Sequence, residues 1–392
     1  MYRTVDASVM RQVNKQTVLS LIYQKSVTSR VAISEETGLN RATVSSLVDE
    51  LIAEEFVEEI GLGSSTGGRK PILLRFNARA GYAVGVDVQI THVTSVLTNA
   101  ARDVVHYQRL ELEANQEHYT TDWLLAILRQ EIQAVIAAMP ASPHGVLGVG
   151  IALPGLINHT AGRVIYLPNL GLADWGIVEE LSQWFPYPFV VDNDANCGAW
   201  SEYLTRRINN LVFVNAGVGI GSGIIFNGAL YRGRDGIAGE SGHTTIAANG
   251  LLCSCGNYGC WEEYASERGL ARYLREFGVE ADIGPHFVTD SVHLAQSGDP
   301  AFRHAFQKLG ESLGIGLSNV LQVLNPEVAY LGGTVAEAQS LVLGEMHRVI
   351  RHRSMDANKG TRIVVAEPTA VALGAAGLAI SQAVKMVPVP TA

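Results

Sequence analysis

The chain has 392 residues, too many for one ordinary domain, and is 47% hydrophobic and 17% charged with 40 glycines. That composition fits a well-packed α/β protein of two or three domains and excludes a disordered chain. The longest apolar stretch, 370–380, falls short of the ~18–20 residues a membrane helix needs, and the first ten residues lack a signal peptide's apolar core, so a cytoplasmic protein is expected. The net charge of −9 is unevenly spread: residues 1–80 carry ten Lys/Arg against nine Asp/Glu, and the remainder carries 19 against 29. A small near-neutral module joined to an acidic body follows, and local clustering rather than total charge decides phosphate affinity.

Residues 9–25 place Val13, Val18, Leu21 and Ile22 near helical spacing, and a short second helix follows in SRVAISEETG. Gly38 suits the left-handed residue that ends it, and Asn40 is a good N-cap for a third helix over 41–55. That helix sets Val44, Leu47, Val48 and Leu51 on one face and carries Arg41, Thr43, Ser45 and Ser46 on the other. Helix, turn and helix in this order present the start of the last helix to base edges in a major groove. Two strand-like runs, 56–60 and 72–76, flank a Gly/Ser-rich turn whose tip holds Arg69 and Lys70, the pattern of a wing. An Arg in such an extended loop suits a narrow A·T-rich minor groove. The same tri-helical pattern also serves plain protein contacts, and the basic wing is what favours DNA.

A linker is expected over 77–81. Beyond it a three-strand meander, a helix near 121–138, strands at 146–155 and 189–193, a hairpin around the Gly-rich turn at 217–223, a long helix over 300–325 and a strand ending in Gly332-Gly333 point to two α/β lobes with a cleft between them. His243, Cys253, Cys255 and Cys260 fall within 18 residues among turn-forming glycines, a spacing that can close a tetrahedral Cys₃His zinc site with a structural role. One disulfide plus a free thiol is the alternative. Asn193 and Asp194 follow a strand, and Glu240, His243 and Glu262 flank the cysteines, so carboxylates and amides suited to vicinal hydroxyls cluster in sequence.

The run Cys253-Ser-Cys-Gly-Asn-Tyr-Gly-Cys260-Trp-Glu262, preceded by Glu240-Ser-Gly-His243, resembles the signature of the ROK family of repressors and sugar kinases along nearly the whole chain. TGLNRATVSSLVDELI, GSSTGGRKP and CGNYGCWEEYASE are most similar to the xylose repressors of Gram-positive bacteria. The resemblance implies a winged helix-turn-helix over 1–80, then an actin-like two-lobed fold: a smaller lobe over 81–195 completed by a helix at 370–385, and a larger one over 196–369. It implies sugar contacts from Gly155, Asn169, Asn193, Asp194, Glu240, His243 and Glu262, with His243 also a zinc ligand and Asp194 at the position of the kinases' general base. It further implies a homodimer or higher oligomer on a palindromic operator with A/T-rich flanks, and a sugar effector, xylose first. Where the family's kinases carry Asp-x-Gly-Gly-Thr to cradle phosphate, this chain has Asp87-Val88-Gln89-Ile90-Thr91, which predicts loss of phosphoryl transfer. A sugar kinase with an added DNA reader, or a regulator governed by a protein partner, are the other readings.

Overall fold

The computed structural model describes residues 7–64, 70–112 and 119–386. The N-terminal unit consists of α1 (Ala7–Lys25), a two-residue strand β1 (Thr28–Ser29), α2 (Arg30–Thr37), α3 (Arg41–Ala53), β2 (Val57–Leu62) and β3 (Ile72–Phe76), the strands forming a sheet in the order β1-β3-β2. Its local chemistry follows the sequence. Ser29 caps α2, Gly38 ends it at φ 71°, and the Asn40 side chain accepts from the Thr43 N–H at 2.8 Å to start α3. Val44, Leu47, Val48 and Leu51 are buried on one face of α3. The helix stops two residues earlier than expected, because Glu55 takes a left-handed φ of 60° that turns the chain into the wing.

The body repeats one topology. β4 (Tyr82–Val88), β5 (His92–Asn99) and β6 (Val104–Glu111) form a meander, followed by α4 (Thr121–Ala137) and β7 (Val146–Leu153). Three short strands, β8 (Leu156–Asn158), β9 (Arg163–Leu167) and β10 (Leu172–Trp175), make a separate flap before α5 (Ile177–Ser182) and β11 (Phe189–Asn193). The first sheet runs β11-β7-β4-β5-β6, parallel across β11, β7 and β4. After α6 (Asp194–Arg206), the strands β12 (Leu211–Ala216), β13 (Ile220–Phe226) and β14 (Ala229–Leu230) lead to α7 (Glu262–Ala265), α8 (Glu267–Arg275), α9 (Phe287–Ser297) and α10 (Pro300–Leu324). β15 (Val328–Gly332), α11 (Gln339–Arg353), α12 (Asp356–Lys359), β16 (Arg362–Val365) and α13 (Ala370–Met386) complete the described chain. The second sheet runs β14-β13-β12-β15-β16, the same meander with two parallel strands beside its first member. The repeat is invisible in the sequence because topology is conserved by periodicity, not by residue identity. The flap was not anticipated, since its strands are three to five residues long.

Each sheet carries its own apolar core. α13 lies between them and packs on β4, β7 and α6. Small residues permit this: a Cβ on Gly150 would sit 1.9 Å from the Ala375 carbonyl oxygen. The same helix reaches the N-terminal unit, where Val18, Ile22, Ala376, Ile380 and Val384 share one buried cluster. The expected linker is therefore not a loose tether: Ala80 is fully buried, the Asn77 amide donates to the Glu55 carbonyl, and His144 stacks on Phe56 at 3.8 Å between ring centres. No described helix is long and apolar enough to cross a membrane.

Candidate functional site

The C-terminal ends of β4, β7, β11, β12, β15 and β16 face one cleft between the two sheets, the place where open α/β sheets hold ligands. One end of this cleft is polar. Asn193 closes β11 and caps α6, its Oδ1 accepting from the Ala195 and Asn196 N–H groups and its Nδ2 donating to the Gly155 carbonyl at 3.1 Å. Gly155 lies against the flap, where a side chain would meet the Tyr166 carbonyl. Asp194 is buried, and burial pushes its carboxyl above the ordinary range, against hydrogen bonds from the Ala195 N–H, Gln89 and Asn215 that favour the charged form.

From the other side come Glu262, whose Oε2 accepts from the Ile220 N–H at 2.9 Å, and Glu240, an exposed side chain whose carboxyl is raised by partial desolvation and by the nearby Asp194 and Glu262 charges, against the opposing pull of His243. The flap contributes Asn169, which accepts from Arg268, and Arg268 also approaches Glu262 at 3.7 Å. Every sugar-site residue expected from the sequence thus reaches one region, built by both lobes. Behind it, Asp192 receives a two-pronged contact from Arg232, with Nη1 to Oδ1 at 2.8 Å, so β11 is tied to the segment after β14.

The expectations missed Arg268, Asn215 and Arg232. Asn215 left a usable trace, a polar residue inside the apolar strand Leu211–Ala216. Arg268 sits in a helix where an Arg is ordinary, so nothing local marked it.

His243, Cys253, Cys255 and Cys260 also converge. Their ligand atoms lie within 4.8 Å of one another, with Cys255 and Cys260 sulfurs 3.7 Å apart and Cys253 Sγ 3.6 Å from His243 Nδ1. A metal–sulfur distance of about 2.3 Å in a tetrahedron requires S···S edges of about 3.8 Å, so the cluster fits a four-coordinate ion. A disulfide needs about 2.05 Å, and all four cysteines are free. Gly259 makes the loop possible: φ is 73°, and a Cβ would sit 1.7 Å from the Ala247 carbonyl oxygen. Burial and the neighbouring sulfurs push the Cys260 thiol up, the repulsion a bound cation relieves. The opposite ring nitrogen of His243, Nε2, lies 3.8 Å from Glu240 Oε2, so this ring can serve the metal and the polar pocket together.

The other end of the cleft is different. A cavity of about 430 Å³ is lined by Asp87, Gln89, Asn215, Glu267, Glu337 and Glu367, with Arg109 at its edge. Gln89 and Ile90 follow the end of β4, and Gln89 Nε2 donates to Asp87 Oδ1 at 2.7 Å. The Gly217–Gly223 turn borders both ends: Gly217 and Val218 line this cavity, and a Cβ on Gly219 would collide with Glu262.

In the N-terminal unit, Arg41 and Ser46 are exposed and Thr43 and Ser45 half-buried at the start of α3. Arg41 takes part in no ion pair found among the described residues, whereas the Ser46 hydroxyl accepts from Arg11 at 3.1 Å. Lys70 is exposed; Arg69 lies outside the described residues.

A winged helix-turn-helix thus precedes a two-lobed fold of the actin-like sugar-kinase type. Residues 83–382 match the ROK family, and the chain belongs to it. It is 38% identical over 351 residues to a xylose repressor of Bacillus subtilis (strain 168), covering 89% of each chain. Among solved structures, a ROK family transcriptional regulator described as a homologue of the E. coli MLC protein superposes with a TM-score of 0.76 at 26% identity, over 96% of this chain and 97% of that one. A ROK family glucokinase from Streptomyces griseus, in complex with glucose and AMPPNP, superposes with a TM-score of 0.66 at 25% identity, over 76% of this chain and 99% of the kinase.

Proposed function

We propose that this chain is a sugar-responsive transcriptional repressor of the cytoplasm, with xylose as effector. The observation that carries the reading is the convergence of Asn169, Asn193, Asp194, Glu240, His243 and Glu262, with the Gly155 backbone, at one end of a cleft in a chain that begins with a DNA reader. The likeness to the Bacillus repressor supports the sugar. Residues 1–80 form the reader, 81–195 with 370–385 the smaller lobe, and 196–369 the larger. Arg41, Thr43, Ser45 and Ser46 meet a major groove, and Arg69 and Lys70 meet the flanking backbone and minor groove of an A/T-rich palindrome, read by a homodimer or higher oligomer. His243, Cys253, Cys255 and Cys260 hold a structural Zn²⁺ whose closed shell leaves no open position for catalysis, and which fixes the His243 ring at the pocket wall.

Sugar draws the flap and the larger lobe together. α6 starts at Asn193 and Asp194, packs against α13, and α13 packs against α1, so closure repositions the reader. An effector shifts DNA affinity only by its differential affinity for the two lobe placements, typically about 1–3 kcal/mol.

Asp194 at the base position favours a kinase as the second reading. Against it stand the missing glycines at 89 and 90 and the amide that Gln89 gives to the Asp194 carboxylate at 3.3 Å. Titration calorimetry of the zinc-loaded chain with xylose is expected to give saturable heat that Glu262→Gln weakens at least tenfold, and a coupled ADP-release assay is expected to stay at the sugar-free blank. Turnover well above the blank would establish the kinase, and no heat with any neutral sugar would leave a protein partner as the effector.

A further inference from the structure

The polar pocket is closed at its Asp194 end by side chains, not by backbone. Asp194 Oδ2 accepts from Asn215 Nδ2 at 2.7 Å and from Gln89 Nε2 at 3.3 Å, and Oδ1 accepts from the Ala195 N–H at 2.8 Å. Gln89 is pinned on its other side by Asp87 Oδ1 at 2.7 Å, and Asp87 and Asp194 are both buried. Immediately beyond Gln89 and Asn215 lies the 430 Å³ cavity that extends to Gly217, Gly333 and Thr334. The Gln89 side chain therefore stands between a pocket that suits hydroxyl groups and an adjoining space large enough for several more atoms.

We propose that Gln89 is the specificity-determining residue of the effector pocket, a plug that sets the length of the polyol it accepts and selects a pentose over the hexose that adds one hydroxymethyl group. The inference rests on the sugar reading above. Swinging the plug aside takes one donor from each of the buried Asp87 and Asp194 carboxyls, a cost the side chain avoids by staying in place. One methylene more or less in a pocket is worth about 10–200-fold in affinity, which sets the scale of the effect. Removing the side chain joins pocket and cavity and gives the extra hydroxymethyl group a place, while Asn215 still holds Asp194.

The test is operator release measured by anisotropy, with xylose and glucose titrated separately against the zinc-loaded wild-type chain, Gln89→Ala and Gln89→Met. The ratio of the glucose to the xylose concentration at half-release is the readout. We expect this ratio to fall at least tenfold in Gln89→Ala and to stay within about threefold of wild type in Gln89→Met, which keeps the bulk and loses the amide. Sugar-free operator affinity should stay within twofold in both, which confirms folded readers. A folded Gln89→Ala protein whose ratio stays within threefold of wild type overturns the inference, as does an equal fall in Gln89→Met. If direct calorimetry shows that wild type binds neither sugar, the sugar reading itself fails, a result distinct from an unchanged ratio.

Discussion

The two ends of the central cleft are built from the same pair of sheets yet differ in chemistry. At the Glu262 end, Glu262 accepts from the Ile220 N–H, while His243 faces Glu240 at 3.8 Å and Arg268 faces Glu262 at 3.7 Å. At the Glu267 end, acidic side chains outnumber the single Arg109, and Glu267 is buried against Thr334 with its carboxyl pushed up to about 7 by desolvation. These carboxyls oppose an anionic ligand once deprotonated, whereas the other end suits neutral hydroxyl groups. One pair of sheets can thus give one cleft two chemically different ends, because the side chains at the strand ends, and not the fold, set what each end accepts.

The largest expected effect falls on the recognition end. Cys260→Ser should drop bound zinc from about one per chain to below 0.2 by elemental analysis and lower the melting temperature by at least 10 °C, because metal binding there is also folding free energy. Unchanged stability would separate the metal cluster from the pocket wall and break the comparison. Next, Arg232→Ala leaves Asp192 charged and buried without its partner, an expected loss of about 3–5 kcal/mol in denaturant unfolding. A loss below 1 kcal/mol would mean that the two lobes are not tied at this point. In the reader, Arg41→Ala should weaken operator binding by about 1–3 kcal/mol, and Arg69→Ala should weaken A·T-flanked sites selectively, both checked by anisotropy at fixed salt.

The smallest effect sharpens the acidic end. Asp87 and Glu267 both hold their protons more tightly folded than unfolded, since burial raises each carboxyl to about 7. Their stabilising contribution is full below about pH 4 and fades as pH rises through 7. Glu267→Gln is therefore expected to raise the melting temperature by about 2 °C at pH 8 and to leave it unchanged at pH 4. An equal shift at both pH values would show that burial of charge is not the cause.

Local rules made much of this legible. The Asn40 cap, the Gly38 turn and the buried stripe of α3 follow from side chains acting within a few residues of themselves, so the reader could be taken from sequence nearly residue by residue. The Cys₃His cluster was equally readable, because ligands within 18 residues need no long-range topology. Residues from Gly155 to Glu262 lie in one region of the cleft, yet their partners did not announce themselves. Arg268 acts across lobes, and Gln89 reaches a carboxylate 105 residues away, a contact set by sheet order and not by any local pattern. The flap strands were too short for periodicity, and the packed junction at Ala80 depends on α13, almost 300 residues later.

The most direct measurement is fluorescence anisotropy with labelled DNA from upstream of the protein's own gene, at fixed salt, with and without xylose. Specific binding that xylose weakens about tenfold or more is the predicted result. Tight, specific binding that no neutral sugar changes would contradict the account, leaving a DNA reader whose cleft answers to something else.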